Sequence, residues 1–198
     1  MPSPVPEPAG GTLVVVLGPS GVGKDTLLGL AARPLAARSD ILFVRRAITR
    51  PAHADSEDFL AMSEAEFDHA LAEGRLCFSW SANGLRYGLP RAMAAHLEAG
   101  GVAVVNGSRA ALPAMRKTFA DVRVVEIVAE AEAIAARLRA RGRESEAEIA
   151  ARLARAQALA RDYAPALVID NSGEAAAAAD RLIAYLREVS TPADAARG

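Results

Sequence analysis

The sequence has a single cysteine, only two lysines, few aromatic residues (5%) and no long apolar run. Cys77 has no partner for an intramolecular disulfide, and no cysteine and histidine cluster has the spacing of a zinc site. It lies in the run Leu76-Cys77-Phe78, which fits a buried structural thiol better than a nucleophile. Nothing approaches the roughly 18 consecutive apolar residues of a membrane span. The start, Met1-Pro2-Ser3-Pro4-Val5-Pro6-Glu7-Pro8, lacks the basic and apolar regions of a secretory signal, so a cytoplasmic protein with no membrane partner is expected. Charge of one sign is missing too. The chain carries 23 Lys and Arg against 24 Asp and Glu, a formal net charge of -1. A nucleic-acid binder would carry a large positive excess to neutralise phosphates, so no nucleic-acid partner is expected. Apart from Lys24 and Lys117, every cationic side chain is an arginine.

What is present is one domain's worth of chain. The 198 residues are 52% hydrophobic and 24% charged, which fits a globular fold with a core that needs no staples. Thr12–Leu17 is a β-branched apolar run of the kind that forms a strand buried on both faces. A glycine-rich turn follows, then a helical pattern over about 24–37, with Pro34 disturbing its later turns. Residues 41–48 read as a second strand. Ser63 and Glu66 open a helix as a capping box, and that helix is expected to end near Gly74. Strands are expected at 76–81, 102–105, 122–128 and 166–170, and helices at 91–99, 130–140, 146–161 and Ala175–Val189. Strands alternating with helices predict an α/β fold whose central, mainly parallel sheet is covered on both faces. Residues 1–10 and 191–198 read as flexible tails around a single domain at 11–190.

Gly18-Pro19-Ser20-Gly21-Val22-Gly23-Lys24 follows the first strand and opens the first helix, matching G-x-x-x-x-G-K in a P-loop context. The glycines let successive N–H groups curl around one anion, and the helix N-terminus adds its positive dipole end. Lys24 supplies a mobile point charge for the β- and γ-phosphates, so ATP is the expected donor. The next position departs from the motif. Asp25 stands where Ser or Thr would ligate magnesium, with Thr26 after it. A carboxylate beside a triphosphate needs a cation between them, so Asp25 is the candidate Mg²⁺ ligand; the plainer alternative is a dipole-favoured residue in the first helical turn.

This P-loop, together with Ile48-Thr49-Arg50-Pro51, Tyr87-Gly88 and Arg137-Leu138-Arg139-Ala140-Arg141-Gly142-Arg143-Glu144 leading to Arg152-Leu153, resembles the guanylate kinase family over about residues 11–189. The resemblance implies a P-loop kinase with a helical lid at about 137–155 and a small acceptor-binding region at about 38–100. Its chemistry would be phosphoryl transfer from Mg-ATP to an acceptor that already carries phosphate. The departures from that family fall on the groups that read guanine. His53 falls where a second phosphate-clamping arginine is usual, and Phe59 replaces a tyrosine. Phe78 stands in place of the guanine-reading glutamate, and Leu89 in place of a serine or threonine. The run from Val104 to Arg109 replaces an acidic pair. A guanine edge facing Phe or Leu leaves hydrogen bonds unmade, each costing about 1–3 kcal/mol. The combination, including Ser79-Trp80-Ser81-Ala82-Asn83-Gly84-Leu85 and Asn106-Gly107-Ser108-Arg109, is similar to the ribose 1,5-bisphosphate phosphokinases, guanylate-kinase relatives of bacterial phosphonate degradation. That resemblance implies the reaction of ATP with ribose 1,5-bisphosphate to give ADP and 5-phosphoribosyl 1-diphosphate.

By the same resemblance, Lys24, Arg141 and Arg152 are the candidate catalytic residues, with Arg137 and Arg143 secondary. Arg50 is the leading acceptor clamp. Arg46, His53, Asn83, Tyr87, Asn106, Ser108 and Arg109 are further acceptor candidates, and Asn171 is the candidate adenine contact. Trp80 reads as core, and His69 and His96 as surface or packing residues. Two alternatives stay open: a kinase for another phosphorylated small molecule such as a nucleoside monophosphate, and a non-catalytic interaction module of guanylate-kinase type. The second sits poorly with the retained Lys24 and arginines. Charge is segregated: residues 57–75 hold six acidic residues against Arg75, and residues 137–161 hold seven arginines against three glutamates. That gathering of arginine suits a small, multiply phosphorylated substrate pair. Oligomeric state is not legible in the sequence.

Overall fold

The computed structural model describes residues 10–51, 58–142, 144–158 and 163–190. Its core is a five-stranded, all-parallel sheet built from β1 (Thr12–Leu17), β2 (Ile41–Phe43), β7 (Val102–Asn106), β8 (Asp121–Val128) and β9 (Leu167–Asp170), in the order β2-β7-β1-β8-β9. The residues of β1 explain its central place. Val14 and Val16 enter one apolar cluster with α1 (Lys24–Leu35), α5 (Ala131–Arg141) and α7 (Ala175–Val189), through Leu27, Ala31, Leu138 and Leu182. Leu13, Val15 and Leu17 enter another with α3 (Arg91–Glu98) and α4 (Leu112–Thr118), through Met93, Leu97, Leu112 and Met115. A strand apolar at every position from Leu13 to Leu17 thus forms because both of its faces are covered.

A second sheet, β4-β3-β6-β5, is formed by β3 (Ala47–Ile48), β4 (Leu60–Ala61), β5 (Leu76–Ala82) and β6 (Leu85–Pro90). It packs on α2 (Glu64–Ala72) through Ala47, Phe67, Ala70 and Leu76. The expected capping box is present: the Ser63 hydroxyl accepts from the Glu66 N–H and the Glu66 carboxylate accepts from the Ser63 N–H. α1 runs through Pro34 and ends one residue later.

The expected single strand at 41–48 is in fact two, in different sheets. Val44 N–H still bonds Val104 O on the parallel sheet, and then Arg45 and Arg46 break the run. Two adjacent guanidiniums have no place between apolar layers. Arg45 instead pairs with Asp58, and Arg46, 8% exposed, turns under the Tyr87 ring. β6 and α4, not anticipated from the sequence, complete the two layers. The hairpin signal for β6 was Asn83-Gly84: both residues have positive φ (52° and 73°) in the tight turn between β5 and β6. Among the described residues no helix is long and apolar enough to cross a membrane.

Candidate functional site

In a parallel sheet, ligands bind at the carboxyl ends of the strands where the connections change direction. Here that point lies after β1: from β1 the chain crosses to β2, beyond the position later filled by β7, while β8 and β9 are added on the other side of β1. The phosphate loop sits there. Its curl needs glycine at Gly18 and Gly23, with φ 151° and 96°; a Cβ would stand 2.5 Å from Ile127 O at the first and 2.5 Å from Asn171 Nδ2 at the second. Lys24 Nζ donates to the Gly18 and Pro19 carbonyls at 2.8 and 3.0 Å, so its charge is held over the loop.

The structure brings this loop and most of the expected acceptor residues into one cleft of about 580 Å³. Gly18, Pro19, Ser20 and Lys24 form one wall. Arg46, Asn83, Tyr87, Asn106, Ser108 and Arg109 form the other, together with Trp80. The last is a correction of emphasis: Trp80, expected as core, packs against the second apolar cluster and also stacks on Tyr87 in the cleft wall, with centroids 5.1 Å apart and planes 11° apart. The Arg46 guanidinium lies over the same Tyr87 ring, 5.2 Å from its centroid.

Arg50 is not in this cleft. Its guanidinium covers the Phe59 ring at 4.4 Å and lines a separate hollow with Thr49, Pro51, Met62 and Glu66. His53 lies outside the described residues, as does Arg143. Phe78 and Leu89, the positions that the resemblance expects to face the acceptor base, are packing residues: the Phe78 ring centroid lies 6.0 Å from that of Trp80 and 5.8 Å from that of Phe119, and Leu89 is fully buried.

On the donor side, α6 (Glu146–Ala158) carries Arg152, whose Nη1 donates to Ser20 Oγ at 2.6 Å and whose Nη2 pairs with Glu144 Oε1 at 2.5 Å. This arginine therefore spans 132 residues of sequence to touch the phosphate loop. Arg141 closes α5, and its side chain lies outside the described residues, as does that of Arg155. Arg137 is committed to backbone: Nη2 donates to Asn171 O at 2.6 Å and Nη1 to Val22 O at 3.4 Å. Arg139 makes an exposed two-pronged pair with Glu146 that joins α5 to α6. Gly21 packs beneath Ile134 and Leu138, and Val22 O accepts from Asn171 Nδ2 at 2.7 Å. A second hollow, of about 250 Å³, is lined by Gly23, Thr26, Arg137, Ala140, Asn171 and Ala175 on the outer side of the loop.

Asp25, in the first turn of α1, accepts from Asn106 Nδ2 at 2.6 Å, which ties the helix start to the end of β7. Among the described residues no group of three or more His, Cys, Asp or Glu forms a metal cage. A lone carboxylate next to a triphosphate loop fits Mg²⁺, which keeps water and takes phosphate oxygens in preference to an all-protein cage. Burial pushes the Cys77 thiol up, and its Sγ sits 3.4 Å from the Leu89 and Pro90 carbonyls, as a structural thiol should. His69 is an exposed partner of Glu73, and His96 packs against Val102 O. Two residues of the cleft's surroundings were not singled out from the sequence: Glu126 and Tyr163, both buried and both bonded to Arg109. The signal for Glu126 was a carboxylate set in the otherwise apolar run of residues 124–128 of β8.

No family model matches the chain. The fold is that of a guanylate kinase: the enzyme from Anaplasma phagocytophilum superposes with a TM-score of 0.60 at 20% identity, covering 93% of this chain and 88% of that one. Sequence relatives are closer. Ribose 1,5-bisphosphate phosphokinase PhnN of Rhizobium etli is 43% identical over 176 residues, 89% of either chain. That of Methylobacterium radiotolerans is 46% identical over 177 residues, covering 89% of this chain and 98% of its own. The relative of that name in Laribacter hongkongensis is 51% identical over 176 residues, but this chain spans only 42% of its length. Identity of this order along nearly the whole of both partners means that the chain belongs to the ribose 1,5-bisphosphate phosphokinase family.

Proposed function

We propose that the protein transfers the γ-phosphoryl group of ATP to the C1 phosphate of ribose 1,5-bisphosphate. The bond from the γ-phosphorus to the β,γ-bridging oxygen breaks, a bond to an oxygen of the C1 phosphate forms, and ADP and 5-phosphoribosyl 1-diphosphate leave. The observation that carries this reading is the single cleft that faces Lys24 and the phosphate loop with Arg46, Asn83, Tyr87, Asn106, Ser108 and Arg109. Its size, about 580 Å³, suits a phosphorylated sugar and a terminal phosphate.

The nucleophile is a phosphate oxygen, anionic at neutral pH, so no strong general base is needed. The protein's work is alignment and neutralisation of the charge spreading over the transferred group. Lys24 meets the β- and γ-phosphates from the loop, and Arg152 reaches the same place from α6 by its contact with Ser20. Arg141, at the end of α5, is assigned to the transferred group as well. Magnesium brought with ATP would neutralise the phosphate oxygens, with Asp25 as its one protein carboxylate. Asn106 fixes that carboxylate from β7, a strand end that also borders the acceptor side. Thr26, Arg137 and Asn171 line the outer hollow, which we assign to the adenine end.

The test is a kinase assay with Mg-ATP and, separately, ribose 1,5-bisphosphate, ribose 5-phosphate, GMP and AMP. Formation of 5-phosphoribosyl 1-diphosphate from the bisphosphate, with no turnover of the nucleotides, is expected. Turnover of GMP with none of the bisphosphate rejects the assignment.

A further inference from the structure

Among the described residues Glu126 is the one buried carboxylate, at 0% exposure, on β8 between the apolar Val125 and Ile127. It shares its side of the strand with Val124, in the cluster that also holds Tyr163. A carboxylate taken from water into such a layer is expensive unless its charge and lone pairs are met. At Oε1 they are met by a closed ring of three bonds. Arg109 Nη2 donates to Glu126 Oε1 at 3.3 Å, Arg109 Nε donates to Tyr163 Oη at 3.2 Å, and Tyr163 Oη donates to the same Glu126 oxygen at 3.2 Å. Burial pushes the Tyr163 phenol up, against the pull of Arg109, so the hydroxyl keeps the proton it gives to Glu126. The ring holds two faces of the guanidinium. Its third nitrogen, Nη1, is buried and has no hydrogen-bond partner among the described residues. Arg109 also lines the cleft opposite the phosphate loop. A guanidinium fixed on one side and unsatisfied on another, at the wall of a cleft, is set up to receive an oxyanion.

We propose that Arg109 binds a phosphate of the acceptor, and that Glu126 and Tyr163 are its positioning residues, brought from β8 and from the chain beyond α6. This rests on the acceptor being a sugar bisphosphate, as assigned above. It adds to that assignment a reason for the buried carboxylate: a fixed arginine loses less freedom on binding, so acceptor affinity depends on residues that never touch it. The ring also explains why lysine would not serve, since an ammonium has no planar fork with which to hold Tyr163 and Glu126 and still present a donor.

Steady-state kinetics with both substrates varied tests this on Glu126→Gln, Tyr163→Phe and Arg109→Lys. The expectation is an acceptor KM raised about 30-fold in Arg109→Lys, about 10-fold in Glu126→Gln and about 3-fold in Tyr163→Phe, with the KM for ATP within about 2-fold of the unaltered enzyme in all three. Tyr163→Phe keeps the ring in its packing, so its KM split decides the matter even if Glu126→Gln does not fold. A rise of both KM values together, or a lower melting temperature with neither KM changed, marks the ring as merely structural and overturns the inference. If the unaltered enzyme leaves ribose 1,5-bisphosphate untouched, it is the assigned substrate that fails. Binding of inorganic phosphate to protein saturated with Mg-ADP then decides on Arg109: binding lost in Arg109→Lys and weakened in Tyr163→Phe supports the clamp, and equal binding in all forms overturns it.

Discussion

The two walls of the cleft are built in opposite ways. The donor wall is one contiguous segment, residues 18–24, whose backbone and helix start do the binding, with Arg152 arriving from elsewhere. The acceptor wall is assembled from side chains on separate elements: Arg46 before β3, Trp80 on β5, Asn83 in the hairpin turn, Tyr87 on β6, Asn106 at the end of β7, and Ser108 and Arg109 after it. A backbone cradle is tied to its short-range geometry and tolerates little variation in its glycines. A wall of side chains can change its ligand one residue at a time while the scaffold stays. In this chain Phe78 packs against Trp80 and Phe119 and Leu89 is buried, so neither lines the acceptor wall.

Removing the donor wall's charge is expected to have the largest effect. In Lys24→Ala, kcat should fall about 10³-fold, since the loop loses its only mobile cation at the β- and γ-phosphates. Next comes Arg152→Ala. Its guanidinium contacts Ser20 but stands on α6, so kcat should fall about 10²-fold while ATP binding, measured by calorimetry, weakens less than about 3-fold. Equal, small changes in both quantities would remove Arg152 from the transition state and leave the donor wall as loop alone.

The same contrast decides what was legible. The P-loop, β1, the capping box at Ser63 and the helix at Ala175–Val189 follow from local pattern, because glycine spacing, cap chemistry and apolar periodicity are short-range properties. The break after Phe43 was hidden, since an apolar run does not say which sheet its end will join; only the Arg45-Arg46 pair marked it. Arg50 was assigned by family position to the acceptor, yet it stacks on Phe59 and lines another hollow, while Arg46 occupies the cleft. The Arg109, Glu126 and Tyr163 ring joins residues 17 to 54 positions apart, and no local pattern encodes such a contact.

The acceptor wall gives a sharper prediction of specificity. Restoring the guanine-reading carboxylate as Phe78→Glu should not create a GMP kinase, because residue 78 now packs beside Trp80 and Phe119 rather than lining the cleft. The variant should instead lose about 2 kcal/mol of stability from an unpaired charge set among apolar rings. Urea denaturation with a GMP assay checks both parts, and GMP turnover would mean that the wall can still be read as in guanylate kinases.

The smallest effect expected is at a site belonging to neither wall, which makes it the control for the rest. Asp40, between α1 and β2, takes Nε and Nη2 of Arg38 at 2.7 and 2.6 Å, and Arg38 also donates to Ser190 at the end of α7. The Arg38 guanidinium holds the Asp40 carboxyl down at about 2. A depressed carboxyl stabilises the fold above its unfolded value of roughly 3.9 and loses that contribution as pH falls from there through about 2. Both side chains are about 40% exposed, so solvent screening limits the contribution to less than about 1 kcal/mol. Asp40→Asn should therefore lower the melting temperature slightly at pH 7 and progressively less as the pH falls through about 2, with the KM for either substrate unchanged. A change in either KM would mean that the α1–β2 connection transmits to the cleft, and that the two walls are less independent than their construction implies.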